Sequence, residues 1–125
     1  MTLIKAIEDF DAYRSNSVSI EQKIQWISEL DKKINSEYLE IRGGEAFTGY
    51  TITTPYDTEL KASSEFSEIY PYYMNMKLDY FNGEITRFNN SAKLFNRLYK
   101  EMGDAINRKT KVSKNTKITV GDLYV

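Results

Sequence analysis

The feature that most constrains the fold is a stripe of apolar side chains that begins at residue 70 and runs to residue 106. Successive members are always three or four residues apart, which is the repeat of an α-helix with one apolar face. The stripe consists of Tyr70, Met74, Leu78, Phe81, Ile85, Phe88, Ala92, Phe95, Tyr99, Met102 and Ile106. Because such a face must be buried, the sequence predicts a mainly α-helical protein with its longest helical region at the C-terminal side.

An Asn-Gly pair lies in the middle of this stripe and allows two interpretations. The stripe keeps its phase through Asn82 and Gly83, as one continuous helix would require. Asn-Gly is nevertheless a common helix end, and Glu84 suits the first turn of a following helix because its charge complements the helix dipole. A glycine inside a helix also costs about 1 kcal/mol relative to alanine. We therefore favour a hairpin of two helices, the second from Glu84 to about Arg108, with one long helix as the alternative.

Two further helices are predicted upstream of the stripe. The first spans residues 3–14 and carries the apolar face Leu3, Ile7, Phe10 and Tyr13. Ser19 and Gln22 form a capping box for the second, which is predicted to run from Ile20 to Leu39 and to be ended by the glycines at positions 43 and 44. Trp26 lies on the apolar face of this helix, and we interpret it as a core anchor.

Two segments have the composition of strands rather than helices. Residues 43–64 lack a helical period, and residues 47–54 within them are rich in strand-forming residues up to Pro55. Alternating Ile118 and Val120 predict a second short strand in residues 117–125. The predicted fold is therefore mainly all-α, a four-helix bundle-like domain over residues 1–108 with a long loop, followed by a basic, strand-like tail over residues 109–125.

Composition argues against catalysis. The chain has neither cysteine nor histidine, so it lacks disulfides, the commonest zinc and copper ligands and the usual general base. The pair Gly43 and Gly44 lacks the further glycine and the lysine of a phosphate-binding loop. Acidic pairs such as Glu37 with Glu40 are expected by chance among 18 acidic residues. The sequence predicts a protein that is not an enzyme, with no catalytic, cofactor-binding or metal-binding residues.

The charges are distributed unevenly along the chain. Residues 1–70 hold 13 acids and 7 bases, a balance of −6, whereas residues 71–125 hold 5 acids and 10 bases, a balance of +5. This polarity suits head-to-tail self-association or a single basic face, although helix faces that simply differ in charge would give it too. The segment 108–117 carries five bases and no acid, and its candidate phosphate contacts are Lys109, Lys111, Lys114 and Lys117. No apolar run approaches the about 18 residues of a membrane span.

Polar residues interrupt the last predicted helix at Asn89, Asn90 and Ser91. These residue types are poor helix formers, because their side chains compete for backbone hydrogen bonds. We predict that the three face solvent. The alternative is that Asn89 and Asn96 hydrogen-bond the long loop.

The segment from Tyr70 to Met102 resembles a small helical protein encoded in the head-assembly modules of prophages and long-tailed phages of low-GC Gram-positive bacteria, related to the head-tail connector or head-completion proteins. The likeness spans about residues 3–108, including "WISEL" at residues 26–30 and "DTEL" at residues 57–60. It departs from the family pattern at Pro71 and after Arg108. The matching positions are Tyr70, Tyr73, Asp79, Tyr80, Asn82, Gly83, Glu84, Phe88, Asn89, Asn90, Ser91, Phe95, Asn96 and Tyr99.

The resemblance implies a non-enzymatic subunit that forms a homo-oligomeric ring beneath the phage portal, extends the DNA channel and receives the tail. It implies portal and tail-side adaptor proteins as partners, non-specific contact with packaged DNA, and a location in the host bacterial cytoplasm during assembly and then in the virion neck. We expect the loop and tail to make the contacts between subunits or with the portal. The candidate interface residues are Phe47, Tyr50, Ile52, Tyr56, Ile118, Val120, Leu123 and Tyr124. The competing hypothesis is a small helical nucleic-acid-binding or regulatory protein that uses the basic C-terminal segment.

Overall fold

The computed structural model describes residues 1–117, with side chains up to Lys109. Four α-helices dominate it, which confirms the mainly all-α, bundle-like prediction: α1 (Leu3–Tyr13), α2 (Ile20–Ile34), α3 (Ile69–Phe81) and α4 (Ile85–Lys117). A π-helical turn (Asn35–Leu39) and a 3-10 turn (Glu40–Arg42) extend α2, and a second 3-10 turn (Ser64–Phe66) precedes α3. No β-strand occurs in the described part of the chain, where an isolated bridge joins Thr2 and Glu59.

The helical hairpin favoured from the sequence is confirmed. α3 ends at Phe81 and α4 begins at Ile85. Gly83 has a φ of 70°, the left-handed conformation that glycine adopts without a steric penalty. The amide of Glu84 donates to the Asp79 carbonyl over 2.9 Å, and the amide of Gly83 donates to the Tyr80 carbonyl over 3.0 Å, the two bonds of a Schellman motif. The turn therefore satisfies the carbonyls at the end of α3 and reverses the chain.

The core lies where α3 packs against α1, α2 and α4. Trp26 is 3% exposed, which agrees with its predicted role as a core anchor. Pro71 falls in the first turn of α3, where its missing amide breaks no helical hydrogen bond. Burial of so many large side chains is the main force that holds the helices together. The largest apolar side chains with almost no exposed area are Tyr70, Phe10, Leu3, Ile24, Ile27, Leu30, Ile34, Ile69, Met74 and Met102.

The apolar stripe is buried only in part. Phe95, Tyr99 and Met102 lie in the core, but Phe81 is 67% exposed and Ile85 is 73% exposed. These two residues occupy the helical turns on either side of Gly83, at the end of the hairpin, where neighbouring elements cover little of each side chain. The expectation that the whole stripe is buried is therefore wrong at the hairpin end.

The long loop, residues 43–64, does not contain the strand predicted at residues 47–54. A strand forms when its backbone groups pair with those of a neighbouring strand. The backbone groups of this loop instead hydrogen-bond to α1 and α2. Its carbonyls at Thr58 and Tyr56 accept from the amides of Leu3 and Ile4 over 2.9 and 3.0 Å, which satisfies unpaired donors at the start of α1. On α2, the Ser28 hydroxyl accepts from the loop amide at residue 50 over 2.9 Å. The loop thus closes the bundle instead of adding a sheet.

Two helix ends differ from the prediction. α2 is regular only to Ile34, after which its last turns widen into the π-helical turn and then tighten to the left-handed Gly43, with a φ of 91°. The amide group of Asn35 is buried in that wide turn and donates to the Glu45 carbonyl over 3.0 Å. α4 continues past Arg108 to Lys117. Lysine and arginine are good helix formers, and no glycine or proline follows Gly103 before residue 118. Residues 118–125 of the predicted tail strand lie outside the described residues.

Gly103 allows the π-helical turn to approach α4. A methyl group at this position would overlap the ring of Tyr38. That overlap should cost about 1 to 3 kcal/mol, whereas alanine gains about 1 kcal/mol over glycine in a helix. We therefore expect Gly103→Ala to lower the free energy of unfolding by up to about 2 kcal/mol in urea denaturation. In a Tyr38→Ala background the same change should become stabilising, and a loss of equal size in both backgrounds would contradict the close approach.

Candidate functional site: the hairpin end

A buried polar cluster locks the hairpin near its turn. The Asp79 carboxylate is 1% exposed and accepts from Arg14 Nη1 at one oxygen and from the Ser91 hydroxyl at the other, each over 2.6 Å. Asn75 completes the cluster, since its Oδ1 accepts from Arg14 Nη1 over 2.6 Å and its Nδ2 donates to Ser91 Oγ over 3.1 Å. One carboxylate therefore joins the end of α1 to both helices of the hairpin. Charge-assisted hydrogen bonds of this length are among the stronger ones in proteins.

Sequence reasoning missed this cluster. Asn89 and Asn90 are exposed as predicted, but Ser91 is buried against Asp79, so the prediction for the third residue is wrong. A signal was present in the sequence, because Asp79 follows Leu78 and Ser91 precedes Ala92, which places both next to the apolar stripe. A polar side chain on the border of a buried face is expected to have a hydrogen-bond partner.

A second buried carboxylate holds the long loop to α2. Asp31 is fully buried, and its oxygens accept from the hydroxyl of Tyr70 over 2.7 Å, the hydroxyl of Tyr50 over 2.6 Å and the amide of Lys61 over 3.1 Å. Burial raises the pKa of Asp31, and the three hydrogen bonds oppose that rise only in part. Burial also raises the pKa of Tyr50 and of Tyr70, so both hydroxyls remain protonated donors. The arrangement is structural, because its carboxylate has no access to a substrate.

The structure divides the predicted interface residues of the loop into two pairs. Tyr50 turns inward to Asp31, and the ring of Phe47 packs edge-on against the Tyr50 ring at 4.8 Å. Ile52 and Tyr56 remain exposed to solvent. Phe47 and Tyr50 are partly buried, so Ile52 and Tyr56 are the two of the four that offer the most surface to a partner.

The remaining predicted site residues belong to the C-terminal segment. Lys109 is exposed on α4, and Lys111, Lys114 and Lys117 occupy positions on the continuation of the same helix. Their use in phosphate binding stays a prediction. The candidate interface residues Ile118, Val120, Leu123 and Tyr124 lie outside the described residues.

Three of the most exposed large apolar side chains among the described residues lie at the end of the hairpin. Tyr80, Phe81 and Ile85 are 71%, 67% and 73% exposed. Tyr80 and Phe88 pack ring against ring at 5.6 Å and, with Ile85, form the apolar walls of an open groove of about 400 Å³, which we call the hairpin-end groove. The groove is completed by Asp79, Gly83, Glu84 and Asn89. Exposed apolar patches of this kind commonly mark places where a protein binds a partner.

Other classes of site find no support in the described residues. Among the side chains that the structure describes, up to Lys109, no three acidic groups are placed so as to hold a metal ion. The helices described are also too short or too polar to cross a lipid bilayer. Comparison with known proteins finds no matching family model, no matching curated protein and no matching solved structure.

Proposed function

We propose that this chain is a structural, non-enzymatic subunit of a phage or prophage head-tail connector ring. In that role it docks on the portal, extends the DNA channel towards the tail and contacts tail-side adaptor proteins. It acts in the host bacterial cytoplasm during assembly and in the virion neck afterwards. The basic residues from Lys109 onward provide non-specific contact with packaged DNA.

The observation that carries the proposal is the position of the residues that resemble the connector family. They coincide with the α3–α4 hairpin, and several of them have evident structural roles there. Asp79 and Ser91 form the buried cluster, Gly83 makes the turn, and Tyr80 and Phe88 line the hairpin-end groove. The shared pattern thus specifies a rigid hairpin with an apolar end, which suits an assembly subunit better than a catalyst.

The shape of α4 also supports an assembly role. Its 33 residues correspond to a rod about 50 Å long, more than twice the length of α3. Arg42 donates a hydrogen bond to Asn107, and α4 continues for ten residues beyond that contact through the basic segment. A ring subunit needs surfaces directed at two neighbours and at a larger ring, and a long helix with a basic end and an apolar end supplies separate surfaces.

Mixing the chain with portal rings from the same phage or prophage tests the proposal. We expect it to co-elute with the rings in size-exclusion chromatography, with the molar mass from light scattering increasing by 14.6 kDa for every bound copy. Ile52→Asp should weaken this association, because Ile52 is exposed on the loop that is expected to face the portal. Thr86→Asp, on an exposed position of α4 away from the loop, is the matched control. Absence of any stable complex with portal rings would contradict the proposed function.

A further inference from the structure

We propose that the hairpin-end groove binds residues 118–125 of a neighbouring copy, so that subunits join head to tail. This inference rests on the proposed function in one respect, since a connector ring requires contacts between identical subunits. Two surfaces form this contact. One is the groove between Tyr80, Ile85 and Phe88, and the other is the segment that follows α4.

The groove suits an apolar partner, and that partner needs no positive charge to pair with the carboxylates of the groove. Both carboxylates that line it are already paired, because Asp79 binds Arg14 over 2.6 Å and Glu84 binds Arg87 over 2.9 Å. The apolar wall is largely open to solvent, with Tyr80 and Ile85 each more than two-thirds exposed. Covering such side chains would contribute roughly 25 cal/mol for each Å² of apolar area removed from water.

The segment 118–125, "ITVGDLYV", has the matching chemistry. Five of its eight residues are apolar, namely Ile118, Val120, Leu123, Tyr124 and Val125, and its one charged side chain is Asp122. Apolar side chains of such a segment gain free energy when the groove removes their surface from water. The segment follows the basic run, so each copy carries its apolar residues at the end of α4 opposite to the groove.

The length of α4 between the groove and Lys117 shows that the segment must come from another copy. Phe88 is 29 residues before Lys117 on the same helix, a separation of about 43 Å along the axis at about 1.5 Å per residue. Eight residues reach at most about 29 Å when fully extended. No residue from 118 to 125 can therefore contact the groove of its own chain while α4 is intact to Lys117. A contact between this segment and the groove must be intermolecular.

An interface between two different surfaces of the same chain is heterologous. Each copy then uses its groove to bind one neighbour and its C-terminal segment to bind the other. Successive copies form a closed ring if the rotation that relates each copy to the next adds up to a full turn.

Cysteine cross-linking tests the contact without the portal. The chain has no cysteine, so every disulfide that forms involves an introduced thiol. The full-length variant with Ile85→Cys and Leu123→Cys should form a ladder of disulfide-linked dimers and higher multimers under mild oxidation. The matched control combines Leu94→Cys with Leu123→Cys, since Leu94 is exposed on the same helix outside the groove. We expect the control to lose the ladder.

A mixing experiment tests the head-to-tail order. A chain with Ile85→Cys alone and a differently tagged chain with Leu123→Cys alone should give disulfide heterodimers and no larger species, because each copy then carries one reactive surface. Equal cross-linking of the groove and Leu94 variants, or the absence of intermolecular disulfides in both, would overturn the proposal. Circular dichroism of each variant confirms that the helices are retained. Portal binding with failed cross-linking would leave the connector function standing and remove only this contact.

Discussion

Replacing Phe95 by alanine should lower the free energy of unfolding by about 3 to 5 kcal/mol, one of the two largest effects we expect in this chain. Phe95 is 3% exposed and lies between two aromatic rings, with centroid distances of 5.1 Å to Tyr73 and 5.5 Å to Tyr99. Truncation removes the transfer free energy of the ring and leaves a cavity. It also removes both aromatic contacts, each worth about 0.5 to 1.5 kcal/mol beyond area burial.

Urea denaturation followed by far-ultraviolet circular dichroism measures this change. Phe81→Ala is the matched control, because Phe81 is the same residue type on the same sequence stripe but is 67% exposed. We expect the control to change stability by no more than about 0.5 kcal/mol, as surface substitutions usually do. Similar losses for both variants would show that the stripe is buried over its whole length and that the hairpin end is wrongly placed.

The contrast between these two phenylalanines shows how far the sequence alone could predict the fold. Periodicity indicates which face of a helix is apolar, but not whether another element lies over it. Phe81 and Phe95 occupy the same stripe, and only the tertiary arrangement distinguishes them. The hairpin itself was predictable, because the Asn82-Gly83 pair has a local conformational preference that operates without tertiary contacts.

The polar clusters were harder to predict than the helices. Asp31 accepts from residues that are 19 and 39 positions away, and nothing in its local sequence distinguishes it from a solvated acid on α2. The predicted strand at residues 47–54 failed for the same reason, since the amides and hydroxyls that bind the loop lie on α1 and α2. Local composition described the loop correctly as non-helical but did not identify its partners.

These polar clusters give the connector proposal a physical basis. A buried carboxylate with all its partners in place fixes the relative position of the elements it joins, because displacing any of them leaves buried polar atoms without their hydrogen bonds. Asp79 does this for the hairpin and Asp31 does it for the long loop. The exposed residues Tyr80 and Ile85, and likewise Ile52 and Tyr56, are therefore presented on a stiff support. A surface held in advance loses less conformational entropy when a partner binds.

Replacing Asp31 by alanine should destabilise the protein by about 3 kcal/mol or more, because each of its three donors loses its acceptor at a cost of about 1 to 3 kcal/mol. The substitution leaves the hydroxyls of Tyr50 and Tyr70 and the amide of Lys61 without their acceptor. Asp57→Ala is the matched control, because Asp57 is an exposed acid in the long loop that Asp31 binds. Chemical denaturation should show a change of no more than about 0.5 kcal/mol for that control. If both variants lost the same small amount, the carboxylate of Asp31 would not be holding the loop.

The pH dependence of the conservative variant Asp31→Asn gives a second, independent readout. Burial raises the pKa of Asp31 in the folded protein above the 3.8 of an ordinary aspartate, so the folded state binds this proton more tightly than the unfolded state. Protonation of Asp31 therefore favours folding, and wild type loses this contribution as the pH rises from 3.8 through the folded-state pKa. Asparagine does not titrate. The free energy of unfolding of wild type minus that of Asp31→Asn should therefore be larger at pH 3.5 to 4 than at pH 7. Denaturation midpoints of both proteins across that range measure the difference, and a gap that widened with rising pH would show that the carboxylate is stabilised in its charged form instead.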